Sequence, residues 1–175
     1  LMVPLYGAEG DLASVQYIAA DGEKRYHPGG ATGGKFNIIG SIEEAGTMYL
    51  AEGFATAATI HEITERPCVV AYSASNILKV VELLHETYKD MVIVADHDAS
   101  GVGQRYAEQA SAKYGVRMVM PPILGDANDY VQAGHDLAAL LEPSVSDWLM
   151  PADEFSRQPA PMPKAMTCRS LTAVV

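Results

Sequence analysis

The stretch Val92-Ile93-Val94-Ala95-Asp96-His97-Asp98-Ala99-Ser100-Gly101 joins a short apolar run to two aspartates and a glycine. Such a run, rich in β-branched residues, predicts a strand over Met91–Ala95 that is buried on both faces. The residues after it predict a helix over Gly101–Tyr114, which Gly115 ends. Because side chains alternate along an extended chain, Asp96 and Asp98 are expected on one face. The stretch therefore predicts a buried strand that delivers two carboxylates to the turn before a helix.

The same strand-to-helix rhythm extends on both sides of this stretch. We predict strands at Met48–Ala51, Cys68–Tyr72 and Arg117–Met120, and helices at Phe54–Thr64, Ile77–Thr87, Ala127–Gly134 and Leu137–Leu141. Buried strands that alternate with helices form a parallel sheet with crossover helices. The fold class is therefore predicted as α/β, with a parallel sheet of about four strands flanked by helices.

The two ends of the chain lack the alternation of strands and helices that is predicted for its middle. Strands are predicted at Met2–Tyr6, Ala13–Ala19 and Lys24–His27, and the Asp21-Gly22 pair is typical of a hairpin turn. From Glu142 onward the periodicity is lost and prolines recur, which is typical of a linker or docking tail. The chain is thus divided into a small β-rich segment at 1–46, an α/β domain at 47–142 and a tail at 143–175.

Composition limits the classes of function. The 175 residues are 49% hydrophobic, which suits a globular core, and the longest apolar runs are too short to predict a membrane span. Cys68 and Cys168 are too few and too far apart for a disulfide framework, so a reducing, cytoplasmic setting is expected. A formal net charge of -10 argues against a broad electrostatic grip on nucleic acid. Contact with nucleic acid would therefore need a metal ion or a local basic patch.

Carboxylates follow the predicted strands where each one ends. Glu52 follows Met48–Ala51, and Asp96 and Asp98 follow Met91–Ala95. Open parallel sheets place their sites at the carboxyl ends of the strands. Converging carboxylates repel one another, and hard oxygen ligands suit Mg²⁺ or Mn²⁺. The pattern favours a metal site for phosphodiester chemistry, although Asp98 alone could cap the following helix.

The two acidic stretches resemble the signature motifs of the Toprim domain family. Tyr49-Leu50-Ala51-Glu52-Gly53-Phe54 resembles its strand-Glu-Gly motif, and the stretch from Val92 to Gly101 resembles its strand-Asp-x-Asp-x-x-Gly motif. The resemblance covers about residues 47–131 and implies a Rossmann-like Toprim fold. Domains of this family occur in bacterial-type primases, topoisomerases, nucleases and recombination proteins.

Three segments resemble the primase branch of that family. Gly125-Asp126-Ala127-Asn128-Asp129-Tyr130 resembles the Lys-Asp-Pro-Asp-Glu-Tyr segment of bacterial primases, but Gly, Ala and Asn replace Lys, Pro and the second Asp. The segment from Pro4 to Gly30 resembles the small lobe that precedes the Toprim domain in phage and plasmid primases. Asp147–Phe155 resembles the joint before a RecA-like helicase domain in phage-type primase-helicases. The resemblance implies a DNA primase, a nucleotidyltransferase that makes primers during replication.

The resemblance also implies roles for residues and partners. Glu52, Asp96 and Asp98 would be catalytic, and the same three with Asp126 would bind Mg²⁺ or Mn²⁺. Positive charge for the template or the triphosphate would come from Lys24, Arg25 and Lys35. The implied partners are a single-stranded DNA template, nucleoside triphosphates, and a helicase domain or protein that follows this chain.

Two other functions use the same residues differently. A Toprim nuclease would cleave DNA with the same acids, and a non-catalytic module would only bind nucleic acid or a replication partner. The negative charge and Asn128, where the primase segment has an acid, favour the non-catalytic module. Primer synthesis from nucleoside triphosphates would indicate the primase, and DNA cleavage without them would indicate the nuclease. Failure to bind metal would favour the non-catalytic module.

Overall fold

The structure is a computed structural model that describes residues 1–42 and 46–142. The strands are β1 (Met2–Tyr6), β2 (Leu12–Ile18), β3 (Lys24–Tyr26), β4 (Asn37–Ile39), β5 (Met48–Ala51), β6 (Cys68–Val70), β7 (Met91–Val94) and β8 (Arg117–Val119). The helices are α1 (Phe54–Thr64), α2 (Ala74–Leu84), α3 (Val102–Tyr114), α4 (Ala127–Gln132) and α5 (Leu137–Leu141). None of these helices is long and apolar enough to cross a membrane. The predicted tail at 143–175, with Asp147–Phe155, lies outside the described residues.

The larger sheet confirms the predicted α/β class. Its strand order is β4-β6-β5-β7-β8, and β6, β5, β7 and β8 run parallel to one another. An edge strand, β4, was not predicted and pairs antiparallel with β6, with Asn37 opposite Val70. The three residues of β4 follow the glycine-rich loop at residues 28–35, and so short a segment shows too little alternation to indicate a strand. The pairing with β6 decides that β4 is extended.

Side chains alternate across this sheet and build a core on each face. Met48 and Leu50 of β5 join the cluster under α2 and α3, whereas Tyr49 and Ala51 join the cluster that includes α1 and α5. Every residue of β5, β6 and β7 is buried. Burial on both faces explains why these strands read as unbroken apolar runs in the sequence.

The small sheet, β1-β2-β3, is antiparallel, as the hairpin turn predicted. Two tyrosines join it to the larger sheet. The Tyr72 hydroxyl donates to the Pro4 carbonyl at 2.6 Å, and the Tyr26 hydroxyl donates to the Tyr72 carbonyl at 2.9 Å. The backbone N–H of Tyr72 donates to the Glu52 carbonyl at 2.7 Å. These bonds place β3 beside the residue that follows β5.

Helix α2 begins at Ala74 and ends at Leu84, whereas the sequence predicted a helix over Ile77–Thr87. Serine is a favoured N-cap residue, but within the described part of the chain the Ser73 side chain makes no cap hydrogen bond. The backbone N–H of Ala74 instead faces the carboxylate of Glu52 and lowers its pKa. A carboxylate is favoured there because the helix N-terminus carries partial positive charge. The start of α2 therefore favours the charged form of the acid that follows β5.

Asn76 joins the glycine-rich loop to the larger sheet. Its side chain, 4% exposed, accepts from the Gly34 N–H at 2.6 Å and donates to the carbonyls of Lys35 at 2.8 Å and Ala71 at 2.7 Å. Asn76→Ala leaves these buried groups without partners, so we expect the free energy of unfolding to fall by about 2–4 kcal/mol. Urea denaturation measures the change.

Asn128→Ala is the control for Asn76→Ala, because the half-exposed Asn128 side chain has one hydrogen bond among the described residues, which it accepts from the Thr59 hydroxyl. We expect it to cost about 1 kcal/mol or less. Equal losses in the two variants would contradict the role assigned to the buried asparagine.

Candidate active site

The acids that follow β5 and β7 lie side by side because these strands are neighbours. Ala51 of β5 is opposite Val94 of β7 in the parallel register. Glu52 comes directly after Ala51, and Asp96 comes two residues after Val94. Parallel register therefore brings the carboxylates, distant in the sequence, to one edge of the sheet.

Glu52 is half-buried, and its surroundings shift its pKa in both directions. Burial raises its pKa, and the nearby charge of Asp98 raises it further. The Ala74 N–H and the ammonium of Lys24 act in the other direction. The net effect is a pKa above the usual range, so Glu52 is easier to protonate than an exposed glutamate.

Asp96 has the most perturbed carboxyl group of the site. Burial, the largest cause, and the charges of Glu52 and Asp126 together raise its pKa to about 7. Its Oδ1 atom is buried and has no hydrogen-bond partner among the described residues. An ionised oxygen without a partner is costly to bury, so this position favours a proton or a cation.

Asp98 is held by the turn that begins α3. Its carboxylate accepts hydrogen bonds from the N–H and the hydroxyl of Ser100, and from the Gly103 N–H at 3.3 Å. These bonds, chiefly that of the Ser100 hydroxyl, lower its pKa. Asp98 is therefore ionised when Asp96 is not, and the two acids differ in charge although one residue separates them.

Asp126 and Asp129 face the same edge from the start of α4. Asp126 caps that helix and accepts from the Asp129 N–H at 2.9 Å, and its second oxygen accepts from the Thr56 hydroxyl at 2.7 Å. Both acids line a cavity of about 360 Å³ together with Asp96 and Asp98. Both Asp126 oxygens accept hydrogen bonds, so residues of α1 and α4 fix its position. From this position the negative charge of Asp126 raises the pKa of Asp96.

The three predicted basic residues lie in different surroundings. Lys24 is in the electrostatic environment of Glu52 and Asp96 and lowers the pKa of each. Side chains alternate on β3, so Arg25 points to the opposite face, where its guanidinium pairs with Glu23 at 2.9 Å. Lys35 lies 3.9 Å from Asp11 in the loop after β1. The structure brings only Lys24 of these three to the acids.

The acids suit a divalent cation in chemistry and charge. Within residues 1–42 and 46–142, no three His, Cys, Asp or Glu side chains are already arranged around one metal position. The donors are nevertheless hard carboxylate oxygens, and one of them, Asp96 Oδ1, lacks a compensating partner in the described chain. A cation would relieve the repulsion that raises the pKa of Asp96. The residues therefore fit Mg²⁺ or Mn²⁺ after side-chain adjustment.

Sequence reasoning missed two groups that orient these acids. The Thr56 hydroxyl positions Asp126, and the Ala74 N–H positions Glu52. A threonine within a helix and the backbone of an alanine carry no pattern that indicates such a role. Both act through packing of α1 and α2 against the sheet, which only the tertiary structure reveals.

Comparison with known proteins gives the same assignment for the middle of the chain. Residues 47–136 match the family model described as the Toprim domain. A DNA primase TraC from Escherichia coli is 31% identical over 140 residues, which cover 73% of this chain and 13% of that protein. A second DNA primase TraC from Escherichia coli is 29% identical over 159 residues, covering 84% of this chain and 11% of that protein. The chain thus corresponds to a small part of these relatives.

Solved structures share the fold at low sequence identity. The primase fragment of the bacteriophage T7 primase-helicase protein superposes with a TM-score of 0.58 at 20% identity, covering 77% of this chain and 59% of that one. The DnaG catalytic core superposes with a TM-score of 0.58 at 16% identity, covering 79% of this chain and 50% of that one. These matches show that the two-sheet arrangement is also found in primase structures.

Proposed function

The chain belongs to the Toprim domain family, and we propose that it is the metal-dependent nucleotidyltransferase core of a DNA primase. It would make primers from nucleoside triphosphates on single-stranded DNA during replication. The observation that carries this proposal is the group of Glu52, Asp96 and Asp98 at adjacent strand ends, with Asp96 Oδ1 buried and unpartnered within the described residues. Relatives named DNA primase support the primase branch of the family.

The acids divide the work according to their surroundings. Asp96 and Asp98, with Glu52, would hold Mg²⁺ or Mn²⁺. Asp126 is a further predicted ligand, and in its present position its charge raises the pKa of Asp96. Bound metal would offset the negative charge of the triphosphate during nucleotidyl transfer. Glu52, whose pKa is raised, would take the proton from the attacking hydroxyl group.

Lys24 would contact the triphosphate from the small sheet. It is on the face of β3 that carries Tyr26, which is joined to Tyr72 beside the site. The Lys24 ammonium provides local positive charge near the acids in a chain whose formal net charge is -10. Arg25 and Lys35 would serve the template strand instead, since they lie away from the acids.

One assay distinguishes this proposal from its two alternatives. The chain is incubated with single-stranded DNA, labelled nucleoside triphosphates and Mg²⁺ or Mn²⁺. Primers that need both triphosphates and metal are expected. Shortened DNA in the absence of triphosphates would identify a nuclease. Absence of both products, together with absence of Mn²⁺ binding, would identify a non-catalytic module.

A helicase is the partner that we propose for this core. The bacteriophage T7 relative is a primase-helicase protein, and Asp147–Phe155 resembles the joint before a helicase domain. The proposal concerns the residues beyond 142, which the structure does not describe. Binding of the chain to a replicative helicase, measured with and without residues 143–175, tests it.

Lys24→Met tests whether Lys24 acts on triphosphate binding rather than on metal binding. The change keeps the side-chain length and removes the charge, so we expect the KM for nucleoside triphosphates to rise about tenfold, the loss of one charge-assisted contact. Mn²⁺ affinity should stay the same or increase, because a cation no longer lies near the carboxylates. Steady-state primer synthesis and calorimetry measure the two quantities.

Arg25→Met is the comparison for Lys24→Met, because Arg25 is the adjacent residue on the opposite face of β3. We expect the smaller effect on KM for this variant. A larger effect in Arg25→Met than in Lys24→Met would overturn the assignment of Lys24 to the triphosphate.

A further inference from the structure

Gly103 is a buried residue in the first turn of α3 that contacts the acidic site directly. Its N–H donates to Asp98 Oδ2 at 3.3 Å. Unlike Gly101 and Gly115, which flank the helix at φ +64° and +67°, Gly103 has ordinary helical backbone geometry. The conformational freedom of glycine therefore does not explain its presence at this position.

The space above Gly103 is shared by atoms of the three acids. A methyl group on its Cα would lie 3.3 Å from Asp98 Oδ2, 3.6 Å from Glu52 Oε2 and 3.9 Å from the Asp96 carbonyl oxygen. These three atoms are the nearest neighbours of that point, and they come from two different strand ends. The missing side chain leaves open the volume between the two carboxylates.

Glycine at this point acts against the stability of the helix. Alanine is the best helix former and glycine among the worst, so α3 would gain from a methyl group at position 103. A residue that weakens its own helix and leaves an opening between two functional carboxylates is better explained by the site than by the fold.

We propose that Gly103 is a positioning residue of the cation site, which rests on the function proposed above. Its hydrogen atom in place of a side chain lets Glu52 Oε2 and Asp98 Oδ2 move toward one shared cation. A methyl group would occupy the position into which the two oxygens must converge. Gly103 thus decides how closely the acids of β5 and β7 can approach one ion.

Gly103→Ala tests this proposal on the full chain. We expect Mn²⁺ affinity, measured by calorimetry, to fall about 10- to 100-fold, the range seen when groups around a metal site are altered. The melting temperature of the metal-free protein should change by no more than about 2–4 °C, because the helix propensity of alanine opposes the tight contact with the Asp98 carboxylate. Weaker binding in a protein of nearly unchanged stability is the combined result that supports the proposal.

Gly46→Ala is the matched control. A methyl group there would lie 3.4 Å from the flexible tip of Arg66, a clearance similar to that at position 103. Gly46 precedes β5, at the end of the strand opposite to Glu52. Its Mn²⁺ affinity should equal that of the unaltered chain.

Each other outcome contradicts the proposal in a recognisable way. If Gly103→Ala binds Mn²⁺ like the unaltered chain, the positioning role fails and the proposed function stands. If it binds weakly and its metal-free melting temperature falls by more than about 4 °C, Gly103 serves packing rather than the cation. If the unaltered chain binds no Mn²⁺, both the cation site and the role of Gly103 fail.

Discussion

Replacing Glu52 by glutamine is expected to lower the rate of primer synthesis by about 10²- to 10⁴-fold, the usual contribution of a general base. Glutamine keeps the shape of the side chain and retains an oxygen that can accept from the Ala74 N–H. It loses the ability to take a proton and one negative charge near the metal. The start of α2, and with it the fold, should therefore be preserved while catalysis is lost.

Glu62→Gln provides the control, because Glu62 is an exposed residue of α1 and the chemical change is the same. Its rate of primer synthesis should match that of the unaltered chain. The melting temperatures of the three proteins show whether each remains folded. Near-normal synthesis by Glu52→Gln would remove Glu52 from the catalytic group and leave the metal ligands to be tested separately.

Replacing Asp96 and Asp98 together by asparagine is expected to abolish Mn²⁺ binding and primer synthesis. The double variant loses two charged oxygen donors, including the buried Asp96 Oδ1 that has no partner in the described chain. It also removes the repulsion that raises the pKa of Asp96. The Asp98 change opposes this gain, because it removes a charge that hydrogen bonds from Ser100 and Gly103 stabilise. We therefore expect the metal-free melting temperature to change little, which distinguishes loss of the site from loss of the fold.

Calorimetric titration with Mn²⁺ measures this directly. Asp21→Asn, in the hairpin turn between β2 and β3, is the control for the chemical change, and its binding should be unaltered. Equal Mn²⁺ binding by the double variant and the unaltered chain would place the metal elsewhere. In that case the acids of β5 and β7 would not form the proposed catalytic centre.

The raised pKa of Asp96 also predicts how stability depends on pH. Its pKa in the folded, metal-free protein is about 7, against an ordinary value of 3.8. Between these values the folded chain holds a proton that the unfolded chain has released. The contribution of Asp96 to the free energy of unfolding therefore falls as pH rises from about 4 to about 7, by on the order of a few kcal/mol.

Urea denaturation at a series of pH values tests this dependence. Asp96→Asn carries no titrating proton, so its stability should fall less over the same range. Saturating Mn²⁺ should also offset the fall, because it stabilises the folded state that binds it. Identical pH profiles for Asp96→Asn and the unaltered chain would contradict the perturbed environment of Asp96.

Most of the α/β domain was predictable because its signals are local. The buried strands β5, β6 and β7 read as apolar runs, and Met48–Ala51 and Phe54–Thr64 were predicted with the bounds that the structure has. Strand β4 and the start of α2 were not predicted correctly. Pairing with β6 decides that β4 is extended, and this does not depend on residues close in sequence.

The sequence by itself determined which acids end which strands, because strand period and apolar runs are properties of neighbouring residues. Only the tertiary structure decided how these acids differ. Burial and the surrounding charges raise the pKa of Asp96, Ser100 holds Asp98 ionised, and alternation on β3 directs Lys24 but not Arg25 toward the site. The physical reason is that electrostatic energies depend on burial and on distances through space, which arise only when the strands and helices have packed.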